Sequence, residues 1–185
     1  MPARASIRLR IIRKVSVLAL VVFLLADLGL NSLIGKAKEP APVFRPALKQ
    51  IQPQARVPIL LPSKLPSPIS ERDIKLAWGT VSDDGYFISL YYEEIGTNAS
   101  YAAGFGGSIS ERYVLGGGGI VLAGGRRGTF MPVSCGGSCA PANLWWEENG
   151  VTYQIQIKLS STLKVKDQQR ILFQMANSVV TVRRE

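Results

Sequence analysis

LWWEENGVTYQIQI, Leu144 to Ile157, is the stretch whose reading decides the fold. At its centre Asn149-Gly150 is the preferred pair for a two-residue type I′ hairpin. Counting outward pairs Glu148 with Val151, Glu147 with Thr152, Trp146 with Tyr153, Trp145 with Gln154 and Leu144 with Ile155. Alternation then sorts the faces. Leu144, Trp146, Tyr153, Ile155 and Ile157 form an apolar side, while Trp145, Glu147, Thr152, Gln154 and Gln156 form a mainly polar one. This is the pattern of an antiparallel sheet with one face on a core. Trp146 opposite Tyr153 is a cross-strand aromatic pair. Trp145 is the odd member, either covered by a neighbour or exposed as a contact residue.

Downstream, SSTLKVK breaks the strand pattern, and Asp167 is placed to cap a helix running to about Asn177. Ile171, Leu172, Met175 and Ala176 make one apolar stripe on it, and VVTV (Val179 to Val182) reads as a last strand. Upstream, YFISLYYEE (Tyr86 to Glu94) is a strong strand after the turn signal Asp83-Asp84-Gly85. Tyr86, Ile88, Leu90 and Tyr92 are its core face; Phe87, Ser89 and Tyr91 are the half-exposed one. Ile74 to Trp78 suits a short strand before it. The expected fold is α+β. A curved antiparallel sheet packs on one short C-terminal helix, in a single domain over residues 57–185.

Ten of the chain's 18 glycines fall between Gly104 and Gly128. The segment reads as short strands joined by glycine turns. It is not a phosphate loop. No Gly-Lys-Ser/Thr follows the glycines, and after Gly104-Phe105-Gly106 the third glycine of a dinucleotide fingerprint is replaced by Ile109.

The N-terminus has a different character. Arg4, Arg8, Arg10, Arg13 and Lys14 precede the apolar run Val15 to Ala26, which is 12 residues long. This is the layout of an export signal or a single membrane anchor. Gly35-Lys36-Ala37 supplies small residues for cleavage after Ala37. Extending the run to Gly35 gives 21 residues, enough for an anchor, but includes Asp27 and Asn31. Either way the basic end stays in the cytoplasm and the rest faces the periplasm or the exterior. Residues 38–56, with Pro40, Pro42, Pro46 and Pro53 and no apolar period, read as an extended Pro-rich linker.

Composition narrows the chemistry. Residues 1–37 carry Arg4, Arg8, Arg10, Arg13, Lys14 and Lys36 against Asp27, which leaves +4 of the formal +9 for the rest. The basic balance therefore serves membrane orientation and not nucleic acid. The pairs Arg126-Arg127 and Arg183-Arg184 read as a solvated loop and tail. The chain has no histidine. That excludes Ser-His-Asp and Cys-His nucleophilic sites and His-ligated zinc. Glu93-Glu94 and Glu147-Glu148 are adjacent in sequence, so each pair points to opposite faces and makes a poor catalytic couple. Cys135 and Cys139, in SCGGSCA, are the only cysteines. Outside the cytoplasm their first reading is a local disulfide that fixes the turn before the hairpin. An exposed redox bond is the second reading. A metal would need two further ligands. No cofactor is expected.

The order of elements suggests a family. A Pro-rich LP-x-x-LP lead-in (Leu61 to Pro66) is followed by an aromatic strand ending in Tyr91-Tyr92. A W-x-E-x-G-x-x-Y-x-I hairpin (Trp146 to Ile155) and a short helix closing in A-N-S-V (Ala176 to Val179) come next. This resembles an uncharacterised bacterial envelope domain, found outside the membrane in anchored regulators that include anti-sigma-factor-like proteins. That domain looks related to the carrier-like fold of LolA and RseB. The resemblance implies a sheet curved round a helix, a hollow for lipid or lipid-like signals, and no catalytic residues. The expected function is an exported, non-enzymatic binding or regulatory domain of the envelope. It would sense or carry an apolar ligand on a concave surface near Tyr91, Phe105 and Trp145. The alternative is a structural or assembly subunit of an envelope complex. The expected partners are the membrane, through the N-terminal segment, and an envelope protein or lipid-like ligand.

Overall fold

A computed structural model describes residues 38–67, 69, 71, 73–110 and 119–182. The expected signal or anchor segment, residues 1–37, and the tail pair Arg183-Arg184 lie outside the described residues. Among the described residues no helix is long and apolar enough to cross a membrane. A 3-10 turn at Pro42–Phe44 leads into helix α1 (Arg45–Ile51). Strands β1 (Leu60–Pro62), β2 (Leu76–Val81), β3 (Gly85–Tyr91) and β4 (Tyr101–Ser108) follow. Then come β5 (Ile120–Val121), β6 (Arg127–Met131), β7 (Ser134–Cys135), β8 (Cys139–Ala140), β9 (Ala142–Glu148) and β10 (Val151–Ile157). Helix α2 (Val165–Ala176) and β11 (Val179–Thr181) close the chain.

The fold is α+β, as expected. Seven strands form one antiparallel sheet in the order β2-β3-β4-β10-β9-β6-β5. Its centre is the hairpin of β9 and β10. Asn149 (φ 54°) and Gly150 (φ 76°) take the two positive-φ positions of the turn. The register is the one read from the sequence, from Glu148 opposite Val151 to Leu144 opposite Ile155. Trp146 and Tyr153 stack with ring centroids 5.6 Å apart and planes 26° apart. Leu144, Trp146, Tyr153, Ile155 and Ile157 are all buried, as the alternation requires. The same holds in β3, where Tyr86, Ile88 and Leu90 are buried and Phe87, Ser89 and Tyr91 are half-buried, whereas Tyr92, expected on the core face, lies past the end of the strand and is half-buried.

Both helices lie on this inner face. Helix α2 buries Ile171, Leu172, Met175 and Ala176, the stripe expected for it. Asp167 does not cap it. The N-cap is Lys164, which makes no side-chain cap bond, and Asp167 sits within the first turn. There it pairs with Arg170 at 3.1 Å and faces the positive end of the helix dipole. Gln168 is buried and ties the helix down. Its Oε1 accepts the Val133 N–H at 2.8 Å and its Nε2 donates to the Leu163 carbonyl at 2.7 Å. Strand β11 pairs with β1 as a separate antiparallel ribbon. The buried Tyr86 hydroxyl accepts the Leu60 N–H at 3.0 Å and donates to the Leu60 carbonyl at 3.2 Å, holding the ribbon to the inner face.

Residues 38–56 are not an extended linker. Phe44, Ala47 and Ile51 are fully buried on one side of the 3-10 turn and α1. Phe44 meets Phe105 edge to face at 4.9 Å. The prolines misled the reading because Pro42 and Pro46 occupy first-turn positions. A proline there loses no intrahelical bond and has the right φ. Helix α1 packs against β2 at Gly79, where a side chain would collide with Ile51 and the Ala47 carbonyl. Gln50 Oε1 accepts the Gly79 N–H at 2.9 Å.

Arg126 is not solvated either. Its Nη2 donates to the Ala176 carbonyl at the end of α2, at 3.0 Å, and its Nε donates to the Ala123 carbonyl at 3.0 Å. The guanidinium lies 3.5 Å from Glu148 and 5.7 Å from the centre of the Trp146 ring. Ala123 N–H in turn donates to Asn177 Oδ1 at 2.8 Å. The residue thus clamps the helix C-terminus to the β5–β6 hairpin, where a cation is favourable.

Candidate binding face

The outer face of the sheet follows from register alone. Across the strands Thr80 stands opposite Phe87, Phe87 opposite Gly106, Gly106 opposite Gln154, Gln154 opposite Trp145, and Trp145 opposite Thr129. The next row is Trp78, Ser89, Gly104, Gln156, Asn143 and Met131. Aromatic and amide side chains dominate these rows, and neither contains a charged residue.

Strand β4 shapes this face. Its glycines were expected to make turns; instead Gly104 and Gly106 lie within one strand of eight residues. A side chain at Gly104 would collide with Phe87 and the Tyr101 hydroxyl, and one at Gly106 would come within 2.9 Å of Phe87 Cδ2. Opposite edges of the Phe87 ring thus touch two positions two residues apart. The ring lies flat along β4, with one side on its backbone. Glycine is needed here for close approach, not for a turn.

The amides are held in place. Gln154 Nε2 donates to Asn143 Oδ1 at 3.0 Å, and Asn143 Nδ2 donates to the Pro141 carbonyl at 2.9 Å. Gln154 Oε1 makes no hydrogen bond among the described residues. The Tyr101 hydroxyl donates to Gln156 Oε1 at 3.0 Å, and its ring meets Tyr91 edge to face at 5.9 Å. Burial pushes the Tyr101 phenol well above its usual range, so it acts as a neutral donor. A hollow of about 260 Å³ lies where β2, β3 and β4 meet beside Phe87. Thr80, Asp84, Phe87, Ser108, Ser110 and Gln154 line it. A second hollow of about 210 Å³ lies beside the β1–β11 ribbon, lined by Val57, Pro58, Ile59 and Val182 among others.

The three expected ligand residues do not converge. Phe105 is 1% exposed and belongs to the inner core, where it stands opposite Ile88 and Ile155 and packs on Phe44. Tyr91 is on the outer face, half-buried beside Tyr101. Trp145 is also on the outer face but only 6% exposed. The apolar surface expected around all three is therefore not formed. Among the described residues Trp78, 53% exposed, is the open aromatic of this sheet face. Trp78, Phe87, Gly106 and Gln154 were not legible as a group in the sequence. The alternation of β3 and β10 already put Phe87 and Gln154 outward, but the glycine segment hid the strand that joins them.

Cys135 and Cys139 form the expected disulfide, across an exposed ribbon of β7 and β8. Glu147 pairs with Thr152 on the outer face, while Glu148 turns to Arg126. No cluster of three metal-binding side chains occurs among the described residues. No protein family, curated protein or solved structure matches the chain.

Proposed function

We propose that residues 39–185 are an exported, non-enzymatic binding domain of the cell envelope, and that the outer face of the sheet is its contact surface. The observation that carries this reading is the asymmetry of the sheet. Among the described elements, α1, α2 and the β1–β11 ribbon all cover the inner face. The outer face presents Trp78, Phe87, Gln154 and Gln156 in ordered rows. The disulfide agrees with an oxidising compartment. Placement outside the membrane, by a signal or an anchor, rests on residues 1–37 of the sequence. An apolar cargo between sheet and helices has less support, because Phe44, Ile51, Leu61, Phe105 and Leu172 fill that space. An assembly role through strand addition at β2 is disfavoured where Gln50 already takes the Gly79 N–H.

A photo-crosslinking residue placed at Trp78 or at Ser138 in the full chain, in intact cells, tests the proposal. Adducts from position 78 that are absent from position 138 are expected. Equal adducts from both, or none from 78, would reject the outer face as the contact surface.

A further inference from the structure

We propose that the hollow beside Phe87 is a subsite for one sugar ring of a neutral glycan, with Trp78 as a second platform. The inference rests on the outer face being the contact surface and adds the class of ligand. Four observations point to it.

The first is size. At about 260 Å³ the hollow is just below the range of drug-sized sites, so it suits one ring and not an acyl chain. The second is its wall. The Phe87 ring rests against Gly104 and Gly106, and the half-buried residue also lines the hollow. The C–H face of a pyranose stacks on such a surface, as other flat groups do on aromatic rings. The third is the polar rim. The polar residues Thr80, Ser108, Ser110 and Gln154 line the same hollow. Gln154 is held by Asn143, which leaves its Oε1 as an acceptor for a sugar hydroxyl. The Ser108 and Ser110 hydroxyls lie 3.1 Å apart on this rim.

The fourth is charge. Among the described residues no lysine or arginine lines the hollow, and the carboxyl there, Asp84, does not favour an anion. Phosphate, nucleic acid and anionic headgroups are therefore poor occupants. A neutral or amine-bearing polyhydroxyl ligand is a good one. Trp78 stands one strand from Phe87 and two residues along, a diagonal neighbour about 7–8 Å away. A chain of two or more sugar units reaches from one ring to the other.

The test is a titration of the folded full-length protein, in detergent, followed by tryptophan fluorescence and calorimetry. The probes are tetramers of β-1,4-linked glucose, β-1,4-linked N-acetylglucosamine and α-1,4-linked glucose, with inorganic phosphate as the anionic comparison. Binding of at least one tetramer is expected, and none of phosphate. Phe87→Ala should weaken it about tenfold or more, the loss of one well-placed anchor. Phe87 also covers β4, so Gln154→Ala and Trp78→Ala keep the test valid if that variant misfolds. Each should weaken binding at least threefold, on the scale of a lost hydrogen bond or contact. No binding of any tetramer, or binding unchanged in Gln154→Ala and Trp78→Ala, overturns the glycan proposal. Crosslinks from position 78 to an envelope protein, without tetramer binding, would overturn it and leave the contact-surface reading standing.

Discussion

The two faces of the seven-stranded sheet use the same aromatic residues for opposite purposes. On the inner face Phe105 meets Phe44, Trp146 stacks on Tyr153, and all four rings are buried. On the outer face Phe87 lies on a strip of glycine, and Trp78 is more than half exposed. An aromatic residue therefore does not announce its role by identity. What decides it is the element that arrives on its side of the sheet. Helix α1 covers the inner end beneath β2 and β3, whereas no described helix covers the outer one.

The sharpest way to break this comparison is to cut into the inner face. Phe44→Ala should cost about 3–5 kcal/mol in urea unfolding of the protein, as for a buried aromatic. An effect below about 0.5 kcal/mol would restore the linker reading of residues 38–56. Arg126→Ala should cost about 1–3 kcal/mol, because it leaves the last carbonyl of α2 and Glu148 without their partner. Gly106→Ala should cost about 1–3 kcal/mol, since the methyl group meets Phe87 at 2.9 Å. Gly136→Ala, with nothing within 4 Å, is the matched control and should stay within about 0.5 kcal/mol.

Alkaline unfolding sharpens the comparison from another side. Burial, with a smaller push from Glu148, raises the Tyr153 phenol from about 10 to about 12. Burial also raises Tyr86 well above the usual range. Both groups keep their protons in the folded state after the unfolded chain has lost them. Stability is then unaffected below pH 10 and falls as pH rises from about 10 towards 12. Tyrosinate absorbance and circular dichroism should change together in that window. A tyrosine titration complete near pH 10 with the fold intact would contradict the burial of these phenols. The smallest effect belongs to the open aromatic: Trp78→Ala should change stability by less than about 0.5 kcal/mol.

How much of this could be read in advance varied along the chain, and the reason is physical. The hairpin was legible because its causes are local. Asn149-Gly150 fixes the turn, the turn fixes the register, and the register fixes the faces. Helix α2 was legible from its stripe, although its cap was not, because the helix starts before Asp167. Helix α1 was hidden by prolines that stand at permitted first-turn positions. Strand β4 was hidden by glycines whose cause lies on another strand, in the rings of Phe87 and Tyr101. Phe105 was misplaced for the same reason. Once β4 is a strand, parity sends Phe105 inward to Phe44. The candidate site inherits this, since half of it stands on β4.

Hydroxyl-radical footprinting, comparing purified full-length protein with isolated envelopes, tests the central claim most directly. Trp78 and Phe87 should label in the purified protein and be protected in the envelope, while Ile95, 76% exposed on a loop, should label in both. Equal labelling of Trp78 and Phe87 in the two samples would show that nothing in the envelope covers the outer face, and the account would fail.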